Sequence, residues 1–242
     1  MLGQWISANM QQIAQSFLVY YLTKSAAILG ITALATGLPW LILLLFGGAL
    51  ADRFQKKRLL QLSQVGECCS ALIIVIALFT GYLSKEHPGT WWMLIMTSTF
   101  SGIFNGLAFP ARQAMISEIV SRDQLMNAVS LNGMGTTASM LIGPAIAGFL
   151  IGGVGYKAVY GTMVGLYIAA ITLTNFLPAT RTVSSHSRAT LVDIKEGLNY
   201  LKGKPTILFI IIFNLLCFLL ALPRIQLMPI FAVDILKVGA SG

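Results

Sequence analysis

The sequence predicts an all-α polytopic membrane protein, and three observations carry that reading. The 242 residues are 56% hydrophobic and only 10% charged, against about 25% charged residues in a soluble globular domain. Mean hydropathy is +0.79. The few charges gather between long uncharged runs, and a helix needs about 20 apolar residues to cross the hydrocarbon. A soluble fold of this composition would have no polar skin. The net charge of +8 lies mainly between the runs, as positive-inside topology requires. No basic patch interleaved with aromatics points to nucleic acid, so the bilayer is the expected partner.

The first element, 2–22, is amphipathic. Gln4, Gln11 and Gln15 stand at i, i+7 and i+11 on one helical face, beside apolar Ile13, Phe17, Leu18 and Val19. A helix this polar does not face lipid on all sides and is expected to line a wet path. The second span, 29–51, is uncharged and is expected to break at Pro39 in "TGLPW". The third, 60–82, holds Glu67, the acid placed well inside a span. A charge at the bilayer centre costs about 2.5–3.5 kcal/mol. Glu67 must therefore be protonated, paired or wet, as a carrier of a coupled proton or as a structural acid bonded to a neighbouring helix.

The fourth span, 91–111, shows Ser98, Ser101, Asn105 and, just beyond, Arg112 at i, i+3, i+7 and i+14, again one face. Two polar faces on different helices suggest a shared aqueous path. The alternative is interhelical hydrogen bonding, at roughly 0.6 kcal/mol each. The fifth span, 131–152, is expected to break at Gly143 and Pro144, and the sixth covers 158–177. Paired interruptions in spans two and five would fit two related three-helix repeats.

The stretch "PATRTVSSHSR" interrupts the apolar pattern, and "TLVDIKEGLNYLKGK" reads as an amphipathic surface helix. Thr190 and Asp193 resemble a capping box, Leu191, Ile194, Leu198 and Leu201 share a face, and Lys195, Lys202 and Lys204 suit anionic headgroups. A seventh span, 206–232, carries Asn214 as its polar residue. The organisation expected is a six-helix bundle at 1–178, a linker at 179–205, and the start of a second bundle at 206–242. Cys68, Cys69 and Cys217 lie in apolar runs without metal spacing, and neither metal nor cofactor is expected.

With the N-terminus in the cytoplasm, eleven Lys and Arg fall in inner segments (Arg53, Lys56, Lys57, Arg58, Arg112, Arg122, Arg181, Arg188, Lys195, Lys202, Lys204) and five in outer ones (Lys24, Lys85, Lys157, Arg224, Lys237). The positive-inside rule then selects a cytoplasmic N-terminus. That argues against a heptahelical receptor. A retinal protein is disfavoured because residues 206–222 contain no Lys. An enzyme needs a nucleophile, base or metal constellation, whereas His87 and His186 both lie between spans. A channel would need a charged ring or filter motif.

The stretch "GGALADRFQKKRLL", residues 47–60, resembles the signature loop between helices 2 and 3 of the major facilitator superfamily, G-x-L-A-D-R-x-G-R-R. Gly48, Leu50, Ala51, Asp52, Arg53, Lys56 and Lys57 match, and Gln55 stands where Gly is usual. "GPAIAG" resembles the helix 5 element G-P-x-x-G-G of the antiporter branch through Gly143, Pro144 and Gly148, with Ala147 replacing a Gly. "QQIAQSFLVYYLT", "FPARQAMISEIV" and "NAVSLN" are similar to segments of the drug-exporter group that includes enterobactin and macrolide exporters.

The resemblance implies a twelve-helix transporter in two six-helix halves. This chain would be the N-terminal half, two inverted three-helix repeats, plus helix 7 of a truncated second half. It implies a cavity lined by helices 1, 4 and 7, from Gln4, Gln11, Gln15, Ser98, Ser101, Asn105, Arg112 and Asn214. Asp52 is expected to face a helix N-terminus of the missing half, where the helix dipole favours a carboxylate. The basic cluster is expected to meet Glu118 and Asp123. The function implied is alternating-access export of small amphipathic molecules (drug, macrolide or siderophore) at a bacterial cytoplasmic membrane, with protons as coupling ion. Relatives often carry an acid in helix 1 before the QQxA stretch, whereas this chain reads "SANMQQ"; proton coupling therefore rests on the family. The alternatives are an inserted fragment that does not transport, or a half-size transporter acting as a dimer.

Overall fold

A computed structural model describes residues 2–53, 55–84, 86–87, 89–176, 204–221 and 226–237, and these form helices and turns without a strand. The side chains of 45–53, Asp52 and Arg53 among them, lie outside the described residues, as does the linker helix expected within 179–205 up to residue 203. The helices are α1 (Leu2–Thr23), α2 (Ala26–Arg53), α3 (Lys56–Phe79), α4 (Trp92–Ile119), α5 (Leu125–Gly153), α6 (Tyr156–Asn175) and α7 (Pro205–Ala221). A short α8 (Met228–Ile230) runs into one π-helical turn, Phe231–Ile235. The span expected at 206–232 is thus a described helix ending at Ala221, with residues 222–225 outside the described set.

Five described helices, α2 to α6, are long and apolar enough to cross a membrane. Every main pairing has a counterpart when α1, α2 and α3 are exchanged for α4, α5 and α6. Packing of α2 on α4 is mirrored by α5 on α1, and α3 on α4 by α6 on α1, while α3 on α6 maps onto itself. The bundle is thus built from two three-helix units whose pairings match on exchange.

Small residues set the two closest crossings. A Cβ on Gly102 of α4 would lie 2.2 Å from the Thr36 carbonyl oxygen of α2, and one on Gly106 would lie 2.8 Å from Leu43 Cβ. On the symmetric side, a Cβ on Gly143 of α5 would lie 2.7 Å from Asn9 Cβ and 3.0 Å from the Ile6 carbonyl of α1. Only glycine lets these backbones approach so far, the packing mode of small residues in membrane bundles.

The expected breaks at Pro39 and Pro144 do not occur. Both prolines lie inside continuous helices. In a membrane bundle, a helix tolerates the one hydrogen bond that proline removes because neighbouring helices and side chains satisfy the freed groups.

The signature stretch is helix rather than loop for most of its length: α2 runs through Arg53 and α3 starts at Lys56. Gln55 is the N-cap of α3 at φ −59°, ψ 117°, an extended conformation open to any L-residue. Its departure from glycine therefore imposes no backbone strain.

Candidate functional site

The polar face of α1 is buried. Gln4, Gln11 and Gln15 all lie inside the bundle, and each side chain engages a different helix. Gln15 Nε2 donates to the Leu94 carbonyl (2.8 Å) and to Ser98 Oγ (2.7 Å) of α4. Gln4 Oε1 accepts from Gln64 Nε2 of α3 at 3.0 Å, and Gln64 also donates to Thr174 Oγ1 of α6 at 3.1 Å. Tyr167 of α6 donates to Gln11 Oε1 at 3.4 Å. These glutamines are thus occupied between helices, while two atoms, Gln11 Nε2 and Gln64 Oε1, have no partner.

Glu67 stands at the centre, 1% exposed. Its Oε1 accepts from Ser101 Oγ at 2.9 Å and Asn105 Nδ2 at 2.6 Å, both on α4. Its Oε2 is buried without a partner. Arg112 is buried, its guanidinium carbon 4.3 Å from the Trp5 ring centroid, with Nε unpartnered. An unpaired buried polar atom costs about 1–3 kcal/mol. Glu67 Oε2, Arg112 Nε and Gln11 Nε2 are thus three buried polar atoms without a hydrogen-bond partner in the core shared by α1, α3 and α4.

The structure brings together Gln4, Gln11, Gln15, Ser98, Ser101, Asn105 and Arg112, but around α3 and α6 as well as α1 and α4. Gln64, Glu67, Tyr167 and Thr174 complete the cluster. Asn214 stays apart, exposed on α7 and donating to the Ile210 carbonyl of its own helix at 2.9 Å.

At the end of the bundle where α2 turns into α3, Lys56 forms an ion pair with Glu118 of α4. Lys57 Nζ donates to the Asn175 carbonyl at 2.8 Å, placing a cation at the negative C-terminus of α6. Asp123 stands exposed in the 3-10 turn Arg122–Gln124. At this same end α1, α4, α5 and α6 border an open apolar pocket of about 590 Å³, lined by Leu2, Trp5, Ile116, Ile119, Leu131 and Leu173 among others, and α3 and α4 border another of about 560 Å³ at the opposite end. Trp5 joins the first pocket to the polar core, since it lines that pocket and carries Arg112 against its ring. Among the described residues no three His, Cys, Asp or Glu side chains come together to hold a metal.

The buried polar core thus lies inside a helix bundle whose two triplets pair by exchange. Residues 2–242 match the family described as transmembrane secretion effector, of the major facilitator superfamily. The chain belongs to that family. It is 26% identical over 212 residues to an uncharacterized MFS-type transporter, YfiS, of Bacillus subtilis, covering 86% of this chain and 48% of the relative. It is 30% identical over 150 residues to the staphyloferrin A transporter of Staphylococcus aureus, covering 62% of this chain and 36% of the relative. It is 26% identical over 212 residues to the enterobactin exporter EntS of Shigella boydii, covering 84% and 47%. The chain spans about half the length, or less, of these curated relatives.

In this chain the helix 5 element has a visible packing role. Gly143 and Gly148 are buried, and Gly143 is the point at which α5 meets α1. As a member of the family the chain is a multi-pass membrane protein, and the matched relatives named above are bacterial.

Proposed function

We propose that this chain forms one half of a secondary active exporter of small amphipathic molecules, siderophores and drugs being the favoured class, driven by proton antiport. Glu67 carries the coupled proton. The observation that supports this most is the state of its carboxylate: fully enclosed, hydrogen-bonded on one oxygen, and unpartnered on the other. A buried carboxylate of this kind is held without a fixed countercharge, so its protonation can shift the balance between two access states. The relatives named for siderophore transport and export support the substrate class, and the apolar cavity beside Trp5 suits the apolar part of such a molecule. In this reading the N-terminus is cytoplasmic, the cavity opens inward, and Asp52 at the end of α2 docks on a helix N-terminus of the second half.

The test is accumulation of a fluorescent amphipathic drug in cells expressing the gene. Expression is expected to lower accumulation, and a protonophore to restore it. Glu67→Gln keeps the size and an acceptor for Ser101 and Asn105 but cannot ionise, and is expected to slow efflux by about tenfold or more. Protonophore-insensitive efflux, or wild-type efflux in Glu67→Gln, overturns proton carriage at this residue.

A further inference from the structure

The pocket between α3 and α4, at the end of the bundle away from the α2–α3 turn, is a groove in the outer surface of the bundle. Its rims are the exposed side chains of Ile73 and Ile76 on α3 and of Met96 and Phe100 on α4. Both helices are long and apolar enough to cross a membrane, so exposed apolar side chains on them face hydrocarbon. Half-exposed Tyr82 and Trp92 stand at the mouth of the groove, and aromatics of this kind mark the headgroup level. The helical rise from Trp92 to Phe100 is about 12 Å, most of the roughly 15 Å of hydrocarbon in one leaflet. Behind Phe100 the groove is blind. Phe104 stacks on Phe100 with ring centroids 6.3 Å apart, and a Cβ on Gly66 of α3 would lie 2.2 Å from the Phe104 ring. That ring therefore fills the seam between the two helices.

The hydroxyls in the lining are spent on their own helices. Ser70 Oγ donates to the Gly66 carbonyl at 3.0 Å, Thr80 Oγ1 to the Ile76 carbonyl at 2.9 Å and Thr97 Oγ1 to the Leu94 carbonyl at 3.0 Å. A pocket of about 560 Å³ with such a lining disfavours water, and its walls gain dispersion contacts from an alkyl chain. We infer that this groove seats one acyl chain of a phospholipid, with the ester region at Tyr82 and Trp92 and the chain end against Phe100. A tethered chain enters from the headgroup level and stops within one leaflet, as the aromatic mouth and the blind end require; a partner helix would have to run on past Phe104. The chain also lies along the seam that holds the polar core. Ser70 stands one turn from Glu67, and Phe100 adjoins Ser101, which donates to Glu67 Oε1 at 2.9 Å. A seated chain therefore braces the α3–α4 pairing on which that hydrogen bond depends. The lipid site stands whether or not the chain transports.

The test places the full chain in nanodiscs containing phosphatidylethanolamine with a diazirine midway along one acyl chain. After irradiation, peptide mass spectrometry is expected to find adducts on Ile73, Met96 and Phe100 at about five times the level on Leu141 and Phe149, although those α5 side chains are the more exposed. Equal labelling of the two faces is ordinary bilayer contact and overturns the site. This wild-type pattern needs no variant to fold. Ile73→Trp with Met96→Trp then fills the groove from two exposed rim positions. The double variant is expected to lose the excess on Phe100 while keeping the Phe149 adducts of wild type, and an unchanged excess overturns the site. A second copy of the chain on this face would instead give disulfide-linked dimers of Met96→Cys in a Cys69→Ser, Cys217→Ser background. Monomers are expected, and dimers overturn the lipid as occupant. Melting in detergent reads the bracing: added phosphatidylethanolamine is expected to raise the melting temperature of wild type more than that of the filled variant, and equal shifts overturn the bracing.

Discussion

Replacing Gly102 by Ala tests whether the α2–α4 crossing is as tight as described. The added Cβ would sit 2.2 Å from the Thr36 carbonyl oxygen, 3.0 Å from its carbonyl carbon and 3.2 Å from its Cα. Ordinary contact starts near 3.4 Å, so α2 must retreat by roughly 1 Å locally, and a backbone carbonyl cannot swing away as a side-chain tip would. Overpacking of this kind costs about 1–3 kcal/mol. For a chain of this size, 2 kcal/mol lowers the melting temperature by about 4–8 °C. The matched control is Gly30→Ala on α2, where a Cβ meets nothing within 4 Å and the helix gains roughly 0.5–1 kcal/mol from the exchange. Melting in detergent, followed by tryptophan fluorescence, is expected to place Gly102→Ala below wild type and Gly30→Ala at or above it. Equal melting of the two variants would refute the account of α4 packing.

Two further outcomes are expected. Reversing the ion pair by Lys56→Glu with Glu118→Lys should recover most of the stability lost in either single variant. The coupling should be at most about 1 kcal/mol, because the pair is partly exposed; chemical denaturation in micelles measures it, and no recovery would show that the pair contributes nothing. Asp52→Asn should lower efflux while leaving membrane insertion, assayed by fractionation, as in wild type; unchanged efflux would remove the docking role assigned to Asp52.

Much of this architecture is legible in the residue order, for identifiable reasons. Uncharged runs give the spans, since the hydrocarbon excludes charges whatever the tertiary packing. The face shared by Gln4, Gln11 and Gln15 is visible because helical periodicity is local. What these glutamines touch is not: Glu67 meets Ser101 and Asn105 across 34 and 38 residues of chain, and no local rule pairs them. Gln64 stands one turn before Glu67 on the same face, a local signal that marks it, whereas nothing local marks Tyr167. Asn214 reads as a cavity residue by polarity alone, and in the structure it bonds to its own helix. The expected breaks at Pro39 and Pro144 fail because a proline signal learned from water-exposed helices is weaker inside a packed bundle.

The exchanged pairing of the helices has a consequence for how the chain is made. Every tight crossing joins a helix of the first triplet to one of the second, so the first three helices leave the ribosome without their proper neighbours. Glu67 enters the bilayer before Asn105 has been synthesised, 38 residues later. At about 5–20 residues per second, that interval is roughly 2–8 s. During it the carboxyl group has neither of its α4 donors, and α3 must wait, protonated or at the water boundary, for α4 to arrive.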